Sequence, residues 1–147
     1  MADSDVSGQA PRGAADPYEQ RRAQMFPRLD AAPLKRLERF GRRGAFSVGD
    51  VLFRPGDREV GFFAVLSGAI EIVHPRLGGE DPITTHHAGE FTGEINMISG
   101  RPSLVLGRVR EAGELLVLPR GALQDLVQTD AELSEIFMRA FILRRMS

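Results

Sequence analysis

The sequence contains no cysteine in its 147 residues, which excludes a disulfide framework, a thiol nucleophile and thiolate metal ligands. It also lacks any apolar run that approaches the roughly 20 residues needed to span a membrane. The first residues carry no apolar core of the kind found in signal peptides. These absences favour a reducing compartment, and we expect a cytoplasmic location without a membrane partner.

Residues suited to catalysis or metal binding are also scarce. Of the 3 histidines, His74 precedes a proline, and His86 and His87 are neighbours that face opposite ways if they lie on a strand. A metal site of the cupin kind needs several histidines and a carboxylate that converge on one point. No Gly-x-Ser-x-Gly motif and no convincing set of Ser, His and Asp indicates nucleophilic catalysis. We therefore expect no enzyme activity, no metal and no cofactor in this chain.

The overall composition is that of a soluble globular domain, with 42% hydrophobic and 27% charged residues. A formal net charge of -1 gives no basic field that would attract nucleic acid, so we expect no nucleic-acid partner. One basic cluster does occur, at Lys35, Arg36, Arg39, Arg42 and Arg43. Because these residues fall on the polar face and last turn of a predicted helix, we interpret them as a solvated face that complements the helix dipole.

The length fits one domain with its own core. Residues 1–18 carry almost no large apolar side chains and are predicted to form a disordered tail, which leaves 19–147 as the domain. A helix is predicted after Asp30, a favourable N-cap that is followed by Pro33. Gly41 is predicted to end it.

The middle of the chain changes to strand-like periodicity, with short apolar runs separated by glycine and proline. The predicted strands are Ala45 to Val48, Val51 to Phe53, Phe62 to Leu66, Ala69 to Val73, Ile83 to His87, Leu104 to Arg110 and Leu115 to Leu118. A loop is predicted from His74 to Pro82. Many short antiparallel strands in one domain indicate a sandwich or jelly roll whose mouth can enclose a small ligand.

Helical periodicity returns near the end of the chain. A helix is predicted from about Gly121 to Val127, followed by a capping box formed by Thr129 and Glu132. The last helix carries an apolar stripe formed by Leu133, Ile136, Phe137, Ala140 and Phe141. This stripe is longer than one roll is expected to cover, so we predict a homodimer through this helix.

Residues 91–103, which read FTGEINMISGRPS, resemble the phosphate-binding cassette of cyclic-nucleotide-binding domains. Residues 51–57 and 62–72 resemble the Gly-Asp signature, strand pair and glycine turn of the same family. The resemblance covers nearly everything from Phe26 onward. It implies a mainly β fold with flanking helices, namely a catabolite-activator-like, double-stranded β-helix jelly roll with an N-terminal helix and two C-terminal helices.

The resemblance also implies a set of ligand-binding residues and a ligand, a cyclic nucleotide or another small anion. In the family, Gly-Glu opens a short helix whose amides face the cyclic phosphate, the Glu binds the ribose hydroxyl, and an Arg after Pro binds the phosphate. Here Ser103 follows Pro102 in place of that Arg. A guanidinium donates two hydrogen bonds to a phosphate, whereas a hydroxyl donates only one. The predicted ligand-binding residues are Gly93, Glu94, Ile95, Asn96, Arg101, Ser103 and Leu104.

Several of these assignments leave alternatives open. Glu94 either binds a ligand or accepts from the amides of its own loop, and Arg101 either bends in to replace the missing Arg or is an exposed loop residue. Arg108 alternates with Gly107 and Val109 along a strand. The family match places the Gly107 side inside the roll, where the small residue is expected to leave room for a ligand.

Residues 113–118 and 133–145 show a narrower resemblance, to the N-terminal sensor domain that some bacteria fuse to a thioredoxin-reductase-like flavoprotein. That resemblance implies a redox partner, although these residues contain no dinucleotide-binding or Cys-x-x-Cys motif. Two hypotheses follow. The domain is either a ligand sensor with an atypical cassette, or a module with a degenerate pocket that serves dimerisation or docking.

Overall fold

The computed structural model describes residues 16–58, 60–93 and 101–145. Within these residues, two short helices and a 3-10 turn precede eight strands, and two further helices follow them. The helices are α1 (Pro17–Met25), α2 (Ala31–Leu37), α3 (Arg120–Thr129) and α4 (Ala131–Arg145), with the 3-10 turn at Glu38–Phe40. The strands are β1 (Arg42–Phe46), β2 (Val51–Phe53), β3 (Phe62–Val65), β4 (Ala69–Arg76), β5 (Gly79–His86), β6 (Phe91–Thr92), β7 (Leu106–Glu111) and β8 (Gly113–Leu118). Within those described ranges, none of the helices combines the length and apolarity that crossing a membrane requires.

The described strands form two four-stranded sheets, and neighbouring strands in both sheets run antiparallel. The strand orders are β1-β8-β3-β6 and β2-β7-β4-β5, so strands distant in sequence lie side by side. This arrangement confirms the predicted β roll with helices at both ends of the chain.

Strands β3 and β8 are buried on both faces and separate two cores. Phe62 and Ala64 face the helices, whereas Phe63 and Val65 face the interior of the roll. The side chains of a strand alternate between its faces. The helix-side core consists of Leu29, Leu37, Phe62, Ala64, Phe91, Leu116, Leu118, Leu123, Leu126, Leu133, Phe137, Ala140 and Phe141. The roll-interior core consists of Phe53, Val60, Phe63, Val65, Ile70, Ile72, Val109 and Leu115.

The long loop predicted from His74 to Pro82 is wrong, because β4 and β5 form a tight hairpin across it. His74 pairs with Asp81, and only Leu77 and Gly78 remain in the turn. Gly78 has a φ of +84°, which favours glycine. Pro82 is tolerated because β5 is an edge strand and the register shifts beside it, where a missing N–H costs little.

Two other strands also differ from the prediction. Strand β1 begins at Arg42, three residues before the predicted Ala45. Strand β6 was not predicted, because Phe91–Thr92 is too short to show an alternating pattern. Both strands form through pairing with distant partners: β1 with β8, and β6 with β3.

Helix α1 was also not predicted, and its first two residues fall inside the predicted tail 1–18. The helix buries none of its residues, so it carries no apolar stripe that could reveal it. Local signals were nevertheless present: Pro17 occupies the first turn, and the Asp16 carboxylate accepts from the Glu19 amide at 3.0 Å. The rest of the tail prediction, for residues 1–15, lies outside the described residues.

The predicted capping box at Thr129 and Glu132 is wrong by one residue. Asp130 caps α4, because its Oδ1 accepts from the Leu133 amide at 3.0 Å. Thr129 is still in α3 and donates its hydroxyl to the Asp125 carbonyl at 2.9 Å. Arg36 of the basic cluster donates its Nε to Asp130 at 2.7 Å and thereby ties α2 to the α3–α4 junction.

The apolar stripe of α4 does not have the excess on which the dimer prediction was based. Leu133, Phe137, Ala140 and Phe141 are buried within this chain, and Ile136 is half-buried against the helix-side core. What α4 leaves to solvent is a smaller pair, Met138 at 39% and Ile142 at 56% exposure.

Candidate functional site

The predicted binding loop starts at Gly93, directly after β6. Gly93 is buried and has a φ of +98°, and a Cβ placed on it would lie 2.3 Å from the Gly61 carbonyl oxygen. Both the conformation and the close approach require glycine. The start of the loop is therefore held against the backbone just before β3.

The loop returns to the fold at Ser103. The Ser103 amide donates to the Asp57 carbonyl at 2.8 Å, and its carbonyl accepts from the Gly56 amide at 2.7 Å. Gly56 and Asp57 belong to the same β2–β3 connection that ends at Gly61. Both ends of the predicted binding loop, at Gly93 and Ser103, thus lie against one short connection.

The Ser103 side chain forms hydrogen bonds within its own turn. It is only 2% exposed, its hydroxyl donates to the Val105 carbonyl at 2.9 Å, and its oxygen accepts from the Val105 amide at 3.2 Å. A hydroxyl has a single proton to donate. In this conformation Ser103 stabilises the end of the loop and offers no donor to an anion.

The other predicted site residues divide into two groups. Arg101 is exposed, and Leu104 is 74% exposed, so neither is packed into the roll. Glu94, Ile95 and Asn96 lie outside the described residues, and their assignment as ligand-binding residues stays a prediction. Of the predicted set, the structure brings Gly93 and Ser103 to the same connection.

The predicted room above Gly107 is filled. Gly107 and Val109 do face the interior, as the family resemblance implied, but a Cβ on Gly107 would lie 2.5 Å from the Phe53 ring. Phe53 stacks on Phe63 with ring centroids 6.2 Å apart. The small residue therefore admits an aromatic ring of the core, and the expectation of ligand space at this point is wrong.

Arg108 lies on the opposite face of β7, where it joins three strands. Its Nε donates to Glu71 of β4, and its Nη atoms donate to Glu80 of β5 at 2.8 and 2.6 Å. These hydrogen bonds lower the pKa of Glu80 and raise that of Arg108. The arginine neutralises carboxylates on the outer face of the sheet and takes no part in the candidate site.

A second polar cluster, which the sequence did not indicate, lies where α1, α4 and β6 meet. Arg144 of α4 donates its Nε to the Met25 carbonyl at 2.8 Å and its Nη2 to the Phe91 carbonyl at 3.2 Å. A signal was available, because Arg144 occupies the next position of the buried stripe, four residues after Ala140.

His86 belongs to the same neighbourhood and is 2% exposed. Its Nδ1 lies 3.6 Å from Glu90 Oε1, beyond hydrogen-bond distance, and has no hydrogen-bond partner among the described residues. Burial lowers the pKa of His86, and the charge of Arg144 adds to this against the opposing effect of Glu90. Burial raises the pKa of Glu90, but its contacts with His86, His87 and Arg28 outweigh this and leave it lowered.

A surface cleft of about 580 Å³ lies between α1 and the end of β5. Glu19 and Glu90 line it together with Arg22 and His87, so it presents both signs of charge and selects no simple ion. It contains none of the described residues of the predicted cassette. In the described part of the chain, no group of three or more His, Asp and Glu side chains is arranged to hold a metal ion.

Comparison with known proteins identifies a family that matches this chain. A model of the cyclic nucleotide-binding domain family matches residues 43–130. The chain is 33% identical over 81 residues to the potassium channel AKT1 of Oryza sativa, a match that covers 55% of this chain and 9% of the channel. It is 30% identical over 124 residues to a cyclic nucleotide-gated potassium channel of Mesorhizobium japonicum, with coverages of 82% and 32%.

Among solved structures, the catabolite activator protein of Thermus thermophilus superposes with a TM-score of 0.67 at 22% identity. That superposition covers 84% of this chain and 58% of that protein, and it establishes a shared fold. The chain spans less than two thirds of each of these proteins.

Proposed function

Because the chain belongs to the cyclic nucleotide-binding domain family, we propose that it is a ligand-sensing regulatory domain with an atypical phosphate-binding loop. The observation that carries this proposal is the anchoring of both ends of the loop on the β2–β3 connection, at Gly93 and Ser103. The ligand is a cyclic nucleotide or another small anion. Backbone amides at the start of the loop supply donors for such an anion.

The substitution of Ser for Arg sets the expected affinity. A hydrogen bond to a charged group contributes about 1.5 to 3 kcal/mol, which corresponds to roughly one to two decades of affinity. Since the Ser103 hydroxyl already donates to Val105, it does not replace that contribution. The domain therefore binds cyclic nucleotides weakly, or it binds a different small anion.

The regulated partner is proposed on the sequence alone. The resemblance of residues 113–118 and 133–145 to sensor domains fused to thioredoxin-reductase-like flavoproteins supports an attached or separate redox enzyme. In this scheme the domain itself carries out no chemistry, and ligand binding changes the position of its helices.

A second candidate function, as a dimerisation or docking module, is favoured by two observations. The Ser103 hydroxyl is occupied within its own turn, and Met138 and Ile142 are exposed one turn apart on α4. This pair replaces the buried stripe as the proposed contact of a homodimer. Ile142→Glu is expected to abolish dimers that sedimentation detects in the unaltered protein, whereas a strict monomer at high concentration contradicts this contact.

Calorimetric titration with cyclic AMP and cyclic GMP distinguishes the two functions. For a sensor with an atypical loop, the unaltered chain should bind these nucleotides more weakly than micromolar affinity. Ser103→Arg should then tighten binding by about tenfold to a hundredfold. Ser103→Ala is the matched control, because it also loses the hydrogen bonds to Val105 but adds no charge.

Each result has a definite meaning. Sub-micromolar binding by the unaltered chain contradicts the atypical loop. If neither the unaltered chain nor Ser103→Arg binds either nucleotide at millimolar concentration, cyclic-nucleotide sensing is wrong and the docking function gains support. Equal gains from Ser103→Arg and Ser103→Ala would show that the turn, and not the missing charge, limits binding.

A further inference from the structure

The surface cleft between α1 and the end of β5 is separate from the described part of the candidate binding loop. Its volume of about 580 Å³ lies within the range that is usual for ligand sites. The α1 side of the cleft is lined by four residues at positions i, i+3, i+4 and i+7, namely Glu19, Arg22, Ala23 and Phe26. This spacing places them on one face of the helix. One complete face of α1 therefore borders the cleft.

The opposite side of the cleft follows the edge of β5, where Thr84 and Thr85 line it. Thr84 pairs with Ile72, which faces the roll interior, whereas Thr85 pairs with Glu71 on the outer face. Successive residues of a strand point to opposite faces, so a cleft that both threonines line runs along the edge of the strand. β5 is the last strand of its sheet, and no described strand pairs with its outer side. The backbone groups on that side are therefore available along the cleft.

The edge of β5 is protected unevenly against pairing with another strand. Proteins protect edge strands with charged side chains, prolines and bulges. In β5 such features occur at Glu80, Asp81 and Pro82, and the register shifts beside Pro82. Thr84 and Thr85 follow without any of these features, and threonine favours extended backbone. The part of β5 that borders the cleft is therefore the part best suited to accept another strand.

The charges that border the cleft favour an acidic side chain at one position. Arg22 is exposed and forms no ion pair within the described residues, and its guanidinium carbon lies 5.2 Å from the centroid of the Phe26 ring. An arginine held in this way can bind a carboxylate through two parallel hydrogen bonds. On the strand side, Arg28 balances the charge of Glu90 at 3.8 Å. Glu19, one turn before Arg22, disfavours a second acidic side chain in the same segment.

We propose that the cleft binds an extended segment of a partner protein, which adds as a strand to β5 at Thr84 and Thr85 and places one acidic side chain on Arg22. In this mode of recognition, main-chain hydrogen bonds provide affinity and side-chain contacts provide specificity. Such binding goes beyond the proposed sensing function and requires no nucleotide. The α1 half of the surface also lies outside the family match at residues 43–130.

A phage-displayed library of random linear heptapeptides, selected on the purified full chain, provides the probe. We expect the recovered peptides to carry one Asp or Glu and no central proline, because proline lacks the N–H that strand pairing needs. In titrations with the synthesised peptides, Arg22→Glu should weaken binding by about tenfold or more. A library that yields no binding peptide overturns the proposal.

Arg21→Glu is the matched control for Arg22→Glu. Arg21 is exposed and adjacent in the sequence, but it does not line the cleft. The two variants make the same change of charge, and α1 buries none of its residues, so both leave the core intact. Arg21→Glu should retain peptide binding, and equal losses in the two variants overturn the proposal.

Because the chain contains no cysteine, one introduced thiol can locate the bound peptide. Ala23→Cys places that thiol in the cleft, and Gln24→Cys places it on α1 outside the cleft. A selected peptide should slow alkylation of the Ala23→Cys chain and leave that of the Gln24→Cys chain unchanged. Hydrogen exchange should show new protection at 84–86 and none at 79–82. Equal effects on both thiols, or no new protection at 84–86, overturn the proposal.

Alkylation without peptide distinguishes the other possible occupants of the cleft. If the Ala23→Cys chain already reacts more slowly than the Gln24→Cys chain, and slows further as the protein concentration rises, a second copy occupies the cleft. Slow alkylation that is independent of concentration assigns the cleft to another part of the same chain, such as residues 1–15. Either result overturns binding of a partner segment. No nucleotide is present in these measurements, so a failure of cyclic-nucleotide binding refutes the proposed function alone.

Discussion

The two cores of this domain share strands β3 and β8 but are closed by different means. The helix-side core joins β3, β6 and α4 through a cluster of three phenylalanine rings and has Arg144 at its border. The roll-interior core is closed by strands and by Val60 of the β2–β3 connection, with Phe53 packed over Gly107. The first core therefore depends on side chains from helices as well as strands, whereas the second lies between the two sheets.

This difference separates packing between the two sheets from packing of helices onto a sheet. A change in the roll interior alters the fit of side chains between sheets that are held by backbone pairing. A change in the helix-side core also alters how α1 and α4 sit on the roll. The substitutions below compare the two cores, beginning with the largest expected effect.

Phe137→Ala in the helix-side core is expected to lower the free energy of unfolding by about 3–5 kcal/mol, because it removes a buried ring from the aromatic cluster. Urea denaturation measures this loss. The neighbouring Met138→Ala is the control, since Met138 is 39% exposed, and it should cost less than about 1 kcal/mol. Similar losses at the two positions would mean that α4 is not packed as described.

Gly107→Ala in the roll-interior core is expected to cost about 1–3 kcal/mol through overpacking, because the new Cβ meets the Phe53 ring. Phe53→Leu provides space, so the double variant should lose less stability than the sum of the single losses. The comparison is a double-mutant cycle in urea. Strict additivity would contradict the contact between Phe53 and Gly107.

His86 is expected to make the stability of the folded chain depend on pH. Its folded-state pKa is lowered, so the unfolded chain takes up the proton first as the pH falls below an ordinary histidine pKa of about 6.5. Stability is then complete above that pH and is lost below it, by at most about 1.4 kcal/mol per pH unit until the folded-state pKa is reached. His86→Gln should flatten this slope in urea titrations between pH 7 and pH 5. An unchanged slope would exclude His86 as its source.

Capping at the start of α4 gives the smallest effect. Asp130→Ala is expected to cost about 1 kcal/mol through the lost N-cap, whereas Thr129→Ala should cost less than about 0.5 kcal/mol. The pKa of Asp130 is lowered by Arg36 and by the Leu133 amide, so this contribution fades as acid protonates the carboxylate. If Thr129→Ala lowers the free energy of unfolding more than Asp130→Ala does, in thermal or urea unfolding, the result would support Thr129 as the cap.

Much of the fold could be predicted because its signals are local. The runs predicted from Phe62 and Ala69 begin at the same residues as strands β3 and β4, and Asp30 immediately precedes α2 as predicted. Alternation grouped Gly107 and Val109 on one face, and the family resemblance correctly placed that face in the interior. Such features depend on residues within a few positions of one another, and backbone preference and periodicity record them directly.

The tertiary structure decided what lies between distant residues. It filled the space over Gly107 with Phe53 and joined Arg144 to Met25 and Phe91. It also covered the α4 stripe that the sequence left available for a dimer. Each of these outcomes depends on how side chains from distant parts of the sequence fill a close-packed interior. No local sequence pattern encodes which of them pack together.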